Sequence, residues 1–195
     1  MKLMLPAIFL DRDGVLIENR SDYIRDWSQV IVFAEAITAL AKPVLKNYKL
    51  VVVTNQSAIG RGLVPAETVQ EINDRLATII RTAGGQLAGI YTCPHTPADA
   101  CDCRKPKPGL LLQAAAELDI ALAQSWMIGD AWSDLQAGQA AGVQKLAILR
   151  TGRGTEQLAQ PPTGGLDYSV FNDLSEALLT VKDPISPSPG TERID

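Results

Sequence analysis

The stretch of sequence that decides the fold is Ala7-Ile8-Phe9-Leu10-Asp11-Arg12-Asp13-Gly14-Val15-Leu16. Its four leading apolar residues run directly into two acidic residues, with a glycine behind them. An apolar run of this length that ends in a turn predicts a buried strand. Because alternate residues of an extended chain point the same way, Asp11 and Asp13 could face one site beyond the strand end. The alternative is an ordinary Asp-rich turn, since Asp and Gly are common turn residues.

The composition indicates one globular domain. The chain has 195 residues, of which 46% are hydrophobic, enough to bury a core without disulfides. A net charge of −4 argues against general nucleic-acid binding. No apolar run approaches the roughly 20 residues that span a bilayer, and no signal-peptide cleavage site follows the first strand. We therefore expect a cytoplasmic protein with its domain over residues 1–182. The Pro-rich stretch 183–195 is predicted to be a disordered tail.

Strand-like and helix-like stretches alternate along the rest of the chain. Short β-branched or apolar runs predict strands at 49–54, 87–92, 126–130, 145–149 and 168–171. Helical spacing predicts helices over 34–47, from Pro65 to 84, over 110–121 and 134–141, and after a capping Asn172. Pro43 should kink or divide the first of these helices. The alternation predicts an α/β fold, a doubly wound and mostly parallel sheet with helices on both faces.

Three of the predicted strands end in polar residues: Asp11 and Asp13 at the first, Thr54 and Asn55 at the second, and Asp130 at a later one. Right-handed crossovers bring the carboxyl ends of parallel strands to one edge. There Asp11 and Asp130 could hold Mg²⁺, which prefers carboxylate and phosphate oxygens.

These residue types suit phosphoryl transfer. A carboxylate that attacks phosphorus gives an aspartyl-phosphate, and we assign that role to Asp11. Asp13 is placed to protonate the departing oxygen and then to deprotonate the attacking water. Thr54 and Lys105 would bind the oxygens of the transferring group.

A compact cluster of potential zinc ligands is the second strong signal. Cys93, His95, Cys101 and Cys103 gather every cysteine and the only histidine of the chain into residues 93–103. Three thiolates and an imidazole form a closed tetrahedral zinc set, so we expect a structural Zn²⁺ that fixes this loop. The alternative is a chance cluster of buried thiols.

The motifs together resemble the haloacid dehalogenase superfamily. The residues that carry the resemblance are Asp11-Arg12-Asp13-Gly14, Thr54-Asn55-Gln56-Ser57, Lys105, and Gly129-Asp130 with Asp134. The resemblance implies that Asp11 is the nucleophile, Asp13 the acid/base, and Thr54 and Lys105 the groups that stabilise the phosphoryl. It also implies a Mg²⁺ site formed by Asp11, the Asp13 carbonyl and Asp130.

The zinc loop and the following Arg104-Lys105-Pro106 resemble a narrower branch of the superfamily, whose members hydrolyse heptose bisphosphates or histidinol phosphate. The run Asn55-Gln56-Ser57-Ala58-Ile59-Gly60-Arg61-Gly62 is more similar to the heptose members, so removal of the 7-phosphate of a heptose 1,7-bisphosphate is the leading expectation. The spacing of five residues between His95 and Cys101 also occurs in the members that hydrolyse histidinol phosphate, so that activity stays the alternative.

The same resemblance implies that Arg104, Asn55, Gln56, Ser57 and Tyr23 contact a small phosphorylated sugar. Arg61 could contact a distal phosphate or be a solvated charge. About 23 residues separate Asp11 from Ala34, so we expect no large cap domain and an open site. Members of this kind are usually monomers.

Two departures from the pattern leave a further alternative, a zinc-stabilised binding module without activity. Val15 stands where Thr is usual, and Ala131 stands where relatives often carry Lys. The second change removes a cation from beside the metal site.

Overall fold

Six parallel strands in the order β3-β2-β1-β4-β5-β6 form the sheet of this protein, as seen in a computed structural model that describes residues 4–162 and 165–184. The strands are β1 (Ala7–Leu10), β2 (Lys49–Asn55), β3 (Leu87–Cys93), β4 (Trp126–Gly129), β5 (Lys145–Leu149) and β6 (Ser169–Phe171). The predicted doubly wound parallel sheet is confirmed, and its strand order is that of nucleotide-binding α/β folds. Most of the predicted tail, from residue 185 onward, lies outside the described residues.

Seven α-helices accompany the strands in the described ranges. They are α1 (Ala34–Ala39), α2 (Ser57–Gly60), α3 (Ala66–Thr82), α4 (Gly109–Leu118), α5 (Trp132–Ala141), α6 (Gly154–Ala159) and α7 (Leu174–Ala177). Because neighbouring strand residues point to opposite faces, β1 contributes to two cores. Ile8 and Leu10 pack with residues of α1, α3 and α7, whereas Ala7 and Phe9 pack with α4 and α5.

The sheet register brings the carboxyl ends of β1, β2 and β4 together. Leu10, the last residue of β1, pairs with Val52 on one side and with Ile128 on the other. The backbone N–H of Asp11 continues the ladder by donating to the Ile128 carbonyl at 3.0 Å. Asp11 therefore lies at the centre of the edge to which all three strands lead.

The predicted division of helix 34–47 at Pro43 is confirmed, whereas one helix-cap prediction needs correction. The stretch forms α1 and a 3-10 turn, Pro43–Asn47, because Pro43 cannot continue the α-helical hydrogen bonds. Asp173 rather than Asn172 caps α7, with its carboxylate accepting the Glu176 N–H at 2.9 Å.

Two short helices had no prediction. One is α2, next to the loop of Gly60, Arg61 and Gly62, and the other is α6, which follows β5. Neither is long enough to show an apolar period that could be read from sequence.

The segment between β1 and α1 adds no cap domain. Residues 11–33 hold one 3-10 turn, Trp27–Gln29, and two isolated bridges, Asp13 to Ile17 and Ile17 to Val32. The carboxyl edge of the sheet is therefore open, as predicted. Across residues 4–162 and 165–184, every helix is too short or too polar to cross a membrane.

Candidate active site

Three buried carboxylates meet at the carboxyl edge of the sheet. Asp11 follows β1, Asp130 follows β4, and Asp134 lies in the first turn of α5. One oxygen from each lies within 4.8 Å of the others, and no side chain of the three is more than slightly exposed. Predicted ligands Asp11 and Asp130 are thus brought together, and Asp134 joins them.

The electrostatics of this cluster favour an added cation. Burial, together with the charge of Asp11, raises the pKa of Asp130, although Arg153 opposes the shift. Burial raises the pKa of Asp134 to about 7, with Lys105 opposing and Asp11 adding to the shift. Buried like charges that resist ionisation in this way are stabilised by a divalent ion with oxygen ligands, so the residues fit Mg²⁺.

Lys105 bridges two of the three carboxylates. Its Nζ lies 2.9 Å from Asp11 Oδ1 and 2.7 Å from Asp134 Oδ1, and it donates to the Val53 carbonyl at 2.7 Å. Burial lowers the pKa of this ammonium, but Asp11 and Asp134 outweigh burial and raise it overall. Lys105 is therefore a charged donor held beside Asp11.

Asp13 belongs to a separate set of contacts. Arg12 Nε donates to Asp13 Oδ2 at 3.1 Å, and Gln56 Nε2 donates to the same oxygen at 2.8 Å. The Arg12 side chain is buried and also donates to Asn73 Oδ1 at 2.9 Å. Asp13 is consequently fixed by two donors at the wall of the cavity.

Residues at the carboxyl end of β2 tie this strand to Lys105. Gln56 Nε2 also donates to Thr54 Oγ1 at 2.8 Å. Asn55 bonds the backbone of Lys105 twice, accepting its N–H at 3.1 Å and donating to its carbonyl at 3.0 Å. The carboxyl end of β2 therefore holds Lys105 in a fixed position beside Asp11.

The predicted zinc ligands also converge. Cys103 Sγ lies 3.2 Å from Cys93 Sγ, 3.4 Å from Cys101 Sγ and 3.2 Å from His95 Nδ1. Tetrahedral Zn–S bonds of about 2.3 Å place sulfur ligands about 3.8 Å apart, so a small expansion of this cluster admits the ion.

The thiols of the cluster differ in acidity. Burial raises the pKa of the Cys93 thiol to about 12. Burial also acts against ionisation of Cys101, but hydrogen bonds from Cys103 and the Arg104 backbone lower its pKa to about 7. Because zinc binds thiolates, loading this site would release protons.

The cysteine and histidine cluster positions the residues that follow it. Arg104 NH1 donates to the His95 carbonyl at 3.2 Å, and the Gly109 N–H donates to the Asp102 carbonyl at 3.2 Å. Lys105 directly follows Arg104 in sequence, so the same loop sets the positions of both cations.

A cavity of about 550 Å³ opens above these groups. Most of the predicted substrate contacts line it, together with other polar residues: Asp11, Asp13, Arg20, Tyr23, Thr54, Asn55, Gln56, Ser57, Arg104, Lys105, Asp134 and Arg153. Arg61 does not line this cavity and is exposed, which favours the interpretation as a solvated loop charge. Arg20 lies on the cavity wall paired with Asp22 at 2.9 Å.

Sequence reasoning missed Arg153. Its NH2 lies 3.0 Å from Asp130 Oδ1, and its backbone N–H donates to Asp130 Oδ2 at 2.8 Å. The available signal was the run Gly152-Arg153-Gly154 shortly after β5, the strand beside β4. Arg153 thus lies between Asp130 and the cavity.

Comparisons with known proteins agree with this geometry. The HAD-hydrolase-like family model matches residues 102–177. The chain is 38% identical over 156 residues, or 80% of its length and 83% of the relative, to D-glycero-beta-D-manno-heptose-1,7-bisphosphate 7-phosphatase of Neisseria meningitidis. It is 37% identical over 173 residues, or 88% of its length and 97% of the relative, to the protein of that name from Pseudomonas aeruginosa.

A solved structure gives the same relationship. The crystal structure of D,D-heptose 1,7-bisphosphate phosphatase from B. bronchiseptica, complexed with magnesium and phosphate, superposes with a TM-score of 0.82. The match has 34% identity and covers 90% of this chain and 97% of that one. The chain therefore belongs to the heptose 1,7-bisphosphate 7-phosphatase family of the haloacid dehalogenase-like hydrolases.

Proposed function

We propose that this protein is a phosphatase that removes the 7-phosphate of D-glycero-D-manno-heptose 1,7-bisphosphate through an aspartyl-phosphate on Asp11. The observation that supports the proposal is the meeting of Asp11, Asp130 and Lys105 at the carboxyl edge of the sheet. The relatives named above are phosphatases of this substrate as its β anomer, and we extend that preference to this chain.

In the first half-reaction an Asp11 carboxylate oxygen attacks phosphorus, and the bond between phosphorus and the C7 oxygen breaks. Asp13 donates the proton that the departing oxygen needs. Lys105 and Thr54 stabilise the oxygens of the transferring group, since positioning and electrostatics supply most of the catalysis in phosphoryl transfer.

In the second half-reaction Asp13 takes a proton from a water molecule as the water oxygen attacks phosphorus. The bond to Asp11 breaks, inorganic phosphate leaves, and the Asp11 carboxylate is restored. Mg²⁺ held by Asp11 and Asp130 would screen their negative charge and so allow a phosphate dianion to approach. The Asp13 carbonyl is the third protein ligand that we propose.

The cavity walls suggest how the sugar is held. Arg104 and Arg20 line the cavity, where they can bind the hydroxyls or the second phosphate of the substrate. Asn55, Gln56, Ser57 and Tyr23 complete a polar lining suited to a small phosphorylated sugar. Zn²⁺ bound by Cys93, His95, Cys101 and Cys103 would keep Arg104 in place.

We also propose that the enzyme acts as a cytoplasmic monomer of one domain, residues 1–182. Three free thiols arranged around a histidine fit a reducing compartment, where zinc rather than disulfides holds such a loop. Light scattering of the purified full chain tests the monomer.

The test of the function is phosphate release from purified enzyme with Mg²⁺, measured in parallel on the β anomer, the α anomer and histidinol phosphate. We expect the highest kcat/KM on the β anomer. Faster turnover of histidinol phosphate would contradict the proposal, and the Asp11→Asn variant measures the background of each assay.

A further inference from the structure

Arg153 covers both oxygens of a carboxylate proposed as a metal ligand. Its guanidinium lies 3.0 Å from Asp130 Oδ1 and 3.3 Å from Oδ2, while its backbone N–H donates to Oδ2 at 2.8 Å. Asp130 is fully buried, whereas 45% of the Arg153 side chain is exposed and lines the cavity. One residue thus contacts Asp130 in two ways, through the backbone and through the side chain.

The backbone of this loop is fixed. Gly152 has a φ of +55°, and a Cβ there would lie 2.3 Å from Asp130 Oδ2 and 2.6 Å from Gly14 Cα. Thr151 Oγ1 donates to the Gly14 carbonyl at 2.6 Å, which ties the loop to the turn after β1. The backbone contact to Asp130 is therefore built into the fold, whereas the Arg153 side chain is 45% exposed and already lines the cavity, so it can turn towards the cavity by leaving the carboxylate.

The charges around the three acids favour movement of the Arg153 guanidinium once a metal ion binds. Two cations, Lys105 and Arg153, face three buried acids, Asp11, Asp130 and Asp134. A divalent ion at these acids would reverse the local balance and repel the guanidinium, and it would need a carboxylate oxygen that Arg153 now occupies. Residue 131, next to Asp130, is alanine, so α5 brings no cation of its own to a bound phosphate.

We propose that the Arg153 side chain exchanges partners during the reaction, neutralising Asp130 before Mg²⁺ binds and donating to the phosphate oxygens of the substrate afterwards. A planar guanidinium pairs with phosphate through two parallel hydrogen bonds, as it does with a carboxylate. The proposal rests on the phosphatase function, and it adds a substrate-binding residue that the motifs do not contain.

If Arg153 exchanges partners, removing its guanidinium should change the affinities for two ligands in opposite directions. Without the guanidinium, Mg²⁺ meets no competitor at Asp130 and should bind more tightly. A phosphate mimic at saturating Mg²⁺ loses a donor and should bind more weakly. A residue that only stabilised the loop would weaken both when removed.

The experiment is titration calorimetry on zinc-loaded, full-length protein with three variants, Arg153→Ala, Arg153→Lys and Arg150→Ala. Arg150 is an exposed arginine three residues earlier in the same loop and serves as the matched control. Mg²⁺ is titrated without substrate, and orthovanadate is then titrated at saturating Mg²⁺.

For Arg153→Ala we expect Mg²⁺ affinity to rise severalfold and orthovanadate affinity to fall about tenfold, the effect of one charged hydrogen bond. Arg153→Lys should keep most of the orthovanadate affinity, and Arg150→Ala should match the wild type in both titrations. Weaker Mg²⁺ binding, or unchanged orthovanadate binding, in Arg153→Ala would overturn the exchange. If Arg153→Ala does not fold, Arg153→Gln, which also removes the charge, replaces it in both titrations with the same expected and contradicting results. These titrations need no heptose substrate, so a failed turnover assay would count against the proposed function alone.

Discussion

At the scale of single residues, the site depends on a near balance of buried charge. Asp11, Asp130 and Asp134 are each paired with Lys105 or Arg153, at distances between 2.7 and 3.0 Å. Removing the buried Lys105 would leave buried acids uncompensated, which typically costs about 3–5 kcal/mol. Removing one acid has the opposite effect on the balance, because two acids then face two cations.

The nucleophile can therefore be tested without unfolding the protein. We expect Asp11→Asn to lower kcat by at least about a thousandfold, because an amide cannot form the acyl-phosphate. Its Tm should be equal to or above that of the wild type, since the variant relieves the excess negative charge. Phosphate release and thermal unfolding measure the two effects. Retained turnover would mean that another group attacks phosphorus.

Asp134 predicts a pH dependence of stability in protein without added Mg²⁺. Its pKa is raised from 3.8 to about 7 in the folded state, mainly by burial. The protonated Asp134 side chain contributes stability that is fully present below pH 3.8 and is lost as the pH rises through about 7 and the group ionises. The Tm of Asp134→Asn relative to wild type should therefore increase with pH across this window. A difference that stays constant from pH 4 to pH 8 would contradict the assignment.

Site residues at the ends of strands could be predicted from sequence, but a site residue that reaches Asp130 from a loop could not. Asp11, Thr54 and Asp130 each come directly after an apolar run, so a local pattern identifies them. Arg153 meets Asp130 only because β5 lies beside β4, and an arginine between glycines looks like any solvated loop. Arg61 illustrates the reverse case, since it has the same glycine neighbours and does not line the cavity.

At the scale of elements, the loop of residues 93–103, which we propose binds zinc, joins the end of β3 to the two cations that follow it. Cys93 ends β3, and Arg104 and Lys105 come directly after Cys103. Residues 93–103 contain one 3-10 turn, Pro97–Asp99, as their only helical or extended element after Cys93. We infer that metal ligation replaces an apolar core in holding this loop, and so in holding Lys105 beside Asp11.

We expect Cys101→Ser to lose zinc and to lower Tm by at least about 5 °C, since each kcal/mol shifts the Tm of a chain this size by about 2–4 °C. Activity should fall as well, because Lys105 loses its support. Metal analysis and thermal unfolding measure the effect. Asp102→Ala is the control, because Asp102 lies between Cys101 and Cys103 in sequence but its side chain is 99% exposed. Zinc retained in Cys101→Ser would show that the ligand set is wrong.

Element boundaries were harder to predict than element types. Asn172 and Asp173 are both common helix caps, and only the hydrogen bond to the Glu176 N–H distinguishes them. Pro43 was expected to kink or divide the helix beginning at Ala34, and the structure shows the division, with α1 ending at Ala39 and a separate turn beginning at Pro43. These differences lie away from the carboxyl edge, so they leave the predicted site in place.

At the scale of the whole molecule, the fold brings distant parts of the sequence to one site beside the cavity. Asp11, Thr54, Lys105, Asp130 and Arg153 span most of the described chain. They meet because parallel strands with right-handed crossovers end at the same edge. The absence of a cap between residues 11 and 33 leaves this cavity open to a small sugar phosphate.

The most direct test of the account is a crystal structure of the zinc-loaded protein with Mg²⁺ and beryllofluoride, which mimics an aspartyl-phosphate. We predict beryllium bonded to an Asp11 oxygen, with Lys105 Nζ and Thr54 Oγ1 within hydrogen-bond distance of the fluorides. Mg²⁺ should contact Asp11 and Asp130. Beryllofluoride bonded to Asp13, or Mg²⁺ bound away from Asp130, would contradict the shared phosphoryl site.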